Sequence, residues 1–281
     1  MPEGVMRLCI PVLLLAAWFA RSAEIRGNQI QEHMKSADID ATFAKIQDSL
    51  DVIMKPNFAL VFRVSTGKAG PWTTHEDADE IWLVRHGSAK LSLGESSAEA
   101  KHVEIRGGDV VNVPRTKGYQ IDAGASRLEY VALRIFPTER HLRGAQQPGG
   151  GGGRGRPMPD VVTSAEIDRT IANASANQPL HSNGAFMMNI VIYKGAPGPY
   201  EVHAGYDQIY FVRLGTAKAK IDGVIVDPRE PQQGETRGTG IIGAREYTME
   251  PGDILFVPRN TAHFMDPGLG KYSYLLGHVR D

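Results

Sequence analysis

The stretch Tyr200-Glu201-Val202-His203-Ala204-Gly205-Tyr206-Asp207-Gln208-Ile209-Tyr210-Phe211-Val212-Arg213-Leu214-Gly215 decides the fold. Ile209 to Val212 is a short apolar run closed by a glycine, which predicts a strand and a turn. Glu201 and His203 are two apart, so on a strand they share a face. Downstream, Gly252-Asp253-Ile254-Leu255-Phe256-Val257-Pro258 is followed five places later by His263. Together the two segments supply Glu201, His203, Gln208 and His263, the donor types that suit a small hard-to-borderline metal ion.

An altered copy of the same stretch lies earlier in the chain. Ser36, Ile39, Asp40 and Thr42 match Ser164, Ile167, Asp168 and Thr170 at an offset of 128 residues. Gly67, Gly70, Pro71 and His75 match Gly195, Gly198, Pro199 and His203 at that offset, as do Ile81, Val84, Arg85 and Gly87 with Ile209, Val212, Arg213 and Gly215. One offset held over so many positions marks a tandem duplication. Each copy opens with a short helix, for which Ser36 and Ser164 are the expected N-caps. Short apolar runs follow, separated by Gly, Pro and Asp, which predicts an all-β sandwich or barrel.

Between the copies, five consecutive glycines flanked by Gln146-Gln147-Pro148 and Arg154 to Pro159 can build no core, so residues 146–159 are expected to be a linker. Before the Gly-Asp segment the second copy carries an insertion, Asp227 to Gly240, rich in Gly and Pro. Two readings stay open for it: a lid over the barrel mouth, or a surface hairpin.

The chain has 281 residues and a net charge of -1, with no block of like charges, so no nucleic-acid surface is expected. Arg7 followed by apolar Leu8 to Ala20 predicts a signal peptide over residues 1–22, too short to span a bilayer, cleaved after Ser22. Cys9 is the only cysteine and would be lost with it, leaving no disulfide and no Cys-based zinc site. A bacterial periplasmic or secreted protein, without a stable membrane span after cleavage, is the expectation.

The two segments resemble the two-part signature of the cupin superfamily. Its first motif has two histidines two apart and then a glutamate, and its second a Gly-Asp, a proline and a histidine. The resemblance covers about residues 24 to 281 and implies a bicupin: two tandem double-stranded β-helix (jelly-roll) barrels, at 24–145 and 160–281, each preceded by a short helix. Aligned on the motif, Glu201 stands for the first histidine, His203 for the second, Gln208 for the glutamate and His263 for the last histidine. This implies one divalent ion (Mn, Fe, Zn or Ni) in the second barrel, with Gln208 as an oxygen ligand or the holder of a bound water. Histidines and glutamates that simply satisfy each other by hydrogen bonds are the alternative. In the first barrel Thr73, His75, Glu80 and Tyr119 occupy the same places, a degenerate pocket expected to hold no metal.

The implied function is a metal-dependent enzyme on a small oxygen-rich substrate, of oxygenase, decarboxylase, isomerase or lyase type. Glu201 would then be ligand or general base, and Tyr206, Tyr210 and Arg259 candidate substrate contacts. The competing reading is a non-catalytic cupin that binds a small molecule or sugar, since the fold does not choose among these. Cupins commonly form a homodimer, although a fused pair already supplies a second barrel.

Overall fold

The computed structural model describes residues 32–138 and 158–280. The expected signal peptide, and residues 146–157 of the expected linker, lie outside the described residues. What is described is all-β apart from two short helices, α1 (Ser36–Phe43) and α2 (Ser164–Asn173). Among the described residues, no helix is long and apolar enough to cross a membrane.

Each repeat closes into a jelly-roll barrel of antiparallel strands. In the first barrel, Asp79–His86, Gly124–Ile135 and Phe58–Gly67 form the middle of one six-stranded sheet. The opposing sheet has four strands: Thr73–Thr74, Gly118–Asp122, Ser88–Gly94 and Lys101–Arg106. Trp82, Leu91, Ile105, Val111 and Leu128 pack between them and are fully buried. In the second barrel, Tyr206–Leu214, Lys271–Arg280 and Phe186–Lys194 make the corresponding sheet, and the opposing sheet has six strands instead of four. The two extra strands, Arg229–Gln232 and Glu235–Gly238, belong to the insertion. It is a hairpin joined to the sheet edge, with Glu235–Gly238 hydrogen-bonded along the motif strand Tyr200–His203.

The amino-terminal segments of the repeats are exchanged. His33–Met34, which precede α1, pair with Ile254–Val257 of the second barrel. Val161–Val162, which precede α2, pair with Val110–Val113 of the first. One continuous apolar core therefore runs between the barrels, built from Ile39 and Phe43 of α1, Ile167 and Ile171 of α2, and Phe58, Phe62, Phe186 and Phe256 of the sheets.

The helix starts explain the Gly-Asp motifs. Ser36 and Ser164 are the first helical residues, one place beyond the N-caps expected of them. The N-cap of α1 is Lys35, with no side-chain cap; that of α2 is Thr163, in a reciprocal capping box with Glu166. The serine amides are instead taken by the other repeat: Ser36 N donates to Asp253 Oδ1 and Ser164 N to Asp109 Oδ1, both at 2.8 Å. A carboxylate at a helix N-terminus satisfies an orphan donor and complements the dipole. The adjoining Gly108 and Gly252 both have φ +89°, and a Cβ there would lie 2.7 and 2.4 Å from the hydroxyls of Ser164 and Ser36. Only glycine allows that approach.

Arg85 and Arg213 repeat the symmetry. Arg85 reaches Asp40, Ser36 and the Gly252 carbonyl, while Arg213 reaches Asp168, Ser164 and the Gly108 carbonyl. They line a cleft of about 500 Å³ between the barrels, away from the expected metal ligands.

Candidate metal centre

The strand Tyr200–His203 lies between the insertion strand and His263–Asp266. Alternation turns Glu201 and His203 to one face, and Glu201 is the direct cross-strand partner of His263. Glu201 Oε1 lies 3.5 Å from both His203 Nε2 and His263 Nε2. One ligand atom from each of the three residues falls within 4.8 Å of the other two. His203 and His263 are buried and Glu201 half-buried.

The tautomer of His263 follows from its other nitrogen. Nδ1 sits 3.1 Å from the Thr261 carbonyl oxygen, which can only accept, so Nδ1 carries the proton. Nε2, the nitrogen left to serve as a ligand atom, is buried without a hydrogen-bond partner and faces a carboxylate. Two electron-rich atoms at that range call for a positive charge between them. His203 is held by its far nitrogen too, with Nδ1 2.9 Å from the Tyr206 hydroxyl, a group that can donate or accept. Burial alone would raise the Glu201 carboxyl, but in the ion-free site the His203 and His263 imidazoles, where protonated, outweigh it and hold it down to about 2. The donor set therefore fits a divalent cation, with both imidazoles oriented by a partner on the far nitrogen.

Gln208 is on the next sheet, in strand Tyr206–Leu214, with its amide bonded at both ends. Its Oε1 accepts from the Tyr210 hydroxyl at 3.1 Å, and its Nε2 lies 3.1 Å from His278 Nε2. Tyr206 and Tyr210 thus touch the site residues directly. Arg259 donates from Nη2 to Asp207 at 2.7 Å and from its backbone amide to the same carboxylate.

No protein-family model and no curated protein matches the chain. Solved structures do. A cupin 2 conserved barrel domain protein from Leptotrichia buccalis aligns with a TM-score of 0.60 and 13% identity, over 91% of this chain and 100% of that one. An oxalate decarboxylase from Lactobacillus farciminis, in a formate complex, aligns at 0.54 and 13%, over 91% and 88%. The Bacillus subtilis oxalate decarboxylase, a protein with Mn(II) centres, aligns at 0.52 and 13%, over 92% and 80%. The chain has the bicupin fold. At this identity the likeness is one of fold, and chemistry must be argued from the residues.

The first barrel of the bicupin holds a different constellation at the same places. Glu80 is fully buried and accepts from Arg63 through both oxygens, at 2.9 and 3.1 Å. Arg134 Nε lies 2.9 Å from the same carboxylate, and Trp82 Nε1 donates to it at 2.7 Å. His75 Nε2 is 3.1 Å from the Tyr119 hydroxyl and 3.3 Å from Glu80. Thr73, with its hydroxyl on the Pro71 carbonyl, contributes nothing to this cluster. Burial first, and then the guanidinium charges of Arg63 and Arg134, push the His75 imidazole below its ordinary value.

Sequence reading missed three participants: Arg63, Arg134 and His278. Arg134 and His278 are 144 residues apart, the offset that relates Tyr119 to His263, and they pair across the sheet with Glu80 and Gln208. That coincidence was the signal available for them. Burial, and then the charges of His203 and His263, push the His278 imidazole down to about 3, so it is neutral.

Proposed function

We propose that the chain is a metal-dependent bicupin enzyme whose second barrel holds one divalent ion (Mn, Fe, Zn or Ni) on Glu201, His203 and His263. The observation that carries this is the buried Nε2 of His263, without a hydrogen-bond partner and 3.5 Å from the Glu201 carboxylate that also faces His203. Gln208 is the proposed fourth member: beyond the bond from Tyr210, its amide oxygen keeps a lone pair for the ion or for a bound water. When bound, the ion would supply Lewis-acid polarisation of a substrate oxygen.

The chain's own groups have distinct tasks. Tyr206 keeps His203 turned inward, and the Thr261 carbonyl does the same for His263. Glu201 is ionised at neutral pH and is ligand or general base. Burial of both histidines keeps bulk water from the donors. A small hydroxy or keto acid, sugar derivative or phenol is the proposed substrate class, acted on by an oxygenase, decarboxylase, isomerase or lyase reaction. The reading includes export, supported by Arg7 and the apolar run after it; a mature amino terminus other than Ala23 would revise it.

Metal analysis of protein purified without chelators tests the centre. About one equivalent of a divalent metal is expected in the wild type and none in His203→Ala. Wild-type protein without metal would sink the enzyme reading. Metal and ligand binding without turnover of any of these substrate classes would favour a binding protein instead.

A further inference from the structure

The inserted hairpin brings side chains to the centre that the first barrel has no place for. Its strand Glu235–Gly238 pairs residue for residue with the motif strand, with Arg237 opposite Glu201 and Glu235 opposite His203. Direct partners in a ladder share a face, so Arg237 and Glu235 stand on the side that carries the proposed ligands. Arg237 Nε donates to Glu235 Oε1 at 2.5 Å and lies 3.9 Å from Glu201 Oε2, the oxygen of Glu201 turned away from the histidines. Glu235 is only 7% exposed, and its other oxygen accepts from Gln232. The guanidinium is therefore anchored at one edge. Its two terminal nitrogens have no hydrogen-bond partner among the described residues, and the side chain is 44% exposed.

We infer that Arg237 is the anion-recognition group of this centre and that its ligand is a small carboxylate. The inference rests on the metal reading above and narrows its substrate class. Glu235 neutralises Arg237, while Glu201 alone leaves a divalent ion with one uncompensated positive charge. A carboxylate bound beside the ion supplies the missing negative charge. The planar guanidinium fork matches it with two parallel donors. Anchoring Nε in advance removes much of the entropy lost when a long side chain is ordered by a ligand.

The test uses the full-length protein loaded with Mn(II), with glycolate and its neutral isostere glycolamide as probes, read by the Mn(II) resonance and by water proton relaxation. Wild type should bind glycolate about tenfold or more tighter than glycolamide. Arg237→Gln should weaken glycolate by about that factor, leave glycolamide unchanged and keep Mn(II) affinity within about threefold. Arg237→Lys should retain part of the preference. Glycolate binding that ignores Arg237→Gln while Mn(II) stays bound overturns the inference and spares the metal reading. Loss of Mn(II) along with glycolate makes Arg237 structural and overturns it too. Failure of the wild type to take Mn(II) overturns both.

Discussion

Where the second barrel carries Val191, Gln208 and His278, the first carries Arg63, Glu80 and Arg134 on matching strands. Both interiors place an electron-rich group at the heart of the barrel and oppose it with positive charge. In the first, the charge is covalent: two guanidiniums converge on one buried carboxylate. In the second, the carboxylate has moved to Glu201 and faces two imidazole nitrogens instead of arginines. A barrel that brings its own cations has no use for an ion, and one that replaces them with imidazoles offers a site for one. Thr73 and Tyr119 alone suggest a barrel that lost its site. Arg63 and Arg134 show that the site was filled.

That contrast can be broken most directly at Glu80. Glu80→Leu leaves two half-buried arginines without their carboxylate and should cost about 3–5 kcal/mol in urea unfolding. Gln208→Leu, the matching change in the second barrel, strands the Tyr210 hydroxyl and His278 Nε2 but no buried ion pair, and should cost about 1–3 kcal/mol. Equal costs would show that the first barrel does not depend on charge replacement.

Next in size is the metal. His263→Ala should lower divalent-metal affinity more than about a hundredfold, beyond what loss of an orienting partner does, while His75→Ala should leave the stoichiometry unchanged. Metal loss from a folded His75→Ala protein would place the ion in the wrong barrel here.

A smaller effect separates the two last strands by pH. In the folded protein the His278 imidazole is pushed down to about 3 from its ordinary 6.5. Below 6.5 the unfolded chain takes a proton that the folded chain refuses. Stability is therefore full above 6.5 and falls toward pH 3, by up to about 1.4 kcal/mol per pH unit. In metal-stripped protein, His278→Gln should flatten this acid limb in urea titrations at pH 7 and pH 5. An unchanged limb would mean that His278 is not the group responsible.

The smallest expected difference lies at the helix starts. Thr163→Ala removes half of a capping box and should cost about 1 kcal/mol, whereas Lys35→Ala, with no cap to lose, should be near neutral in thermal unfolding.

The duplication and the all-β class could be read from spacing, because they are local or repeat at one offset, whereas Glu201, His203 and His263 were picked out by the resemblance to the cupin motif. The helices were legible too, from Ile39, Phe43, Ile167 and Ile171 on one face apiece. Their caps were not, because Asp109 and Asp253 reach Ser164 and Ser36 from the other repeat. Arg63, Arg134 and His278 escaped notice for a related reason. They sit on strands without a motif, and only the sheet register carries them to Glu80 and Gln208. The insertion offered a loop-like composition, yet Glu235 to Gly238 lies along a sheet edge that the motif strand leaves open.

The exchange of segments between the repeats has a further consequence. Since each barrel's sheet is completed by two residues from the other's half of the chain, while each helix packs on its own barrel, the two halves are interlocked. The arrangement is that of a swapped dimer. In a dimer of two identical chains, any substitution appears in both copies at once. A change that fills one cavity with arginine would fill the other and abolish the centre. Joining the two copies in one chain releases that constraint: one barrel can harden into a buttress while its neighbour keeps an interior lined by imidazoles and a carboxylate.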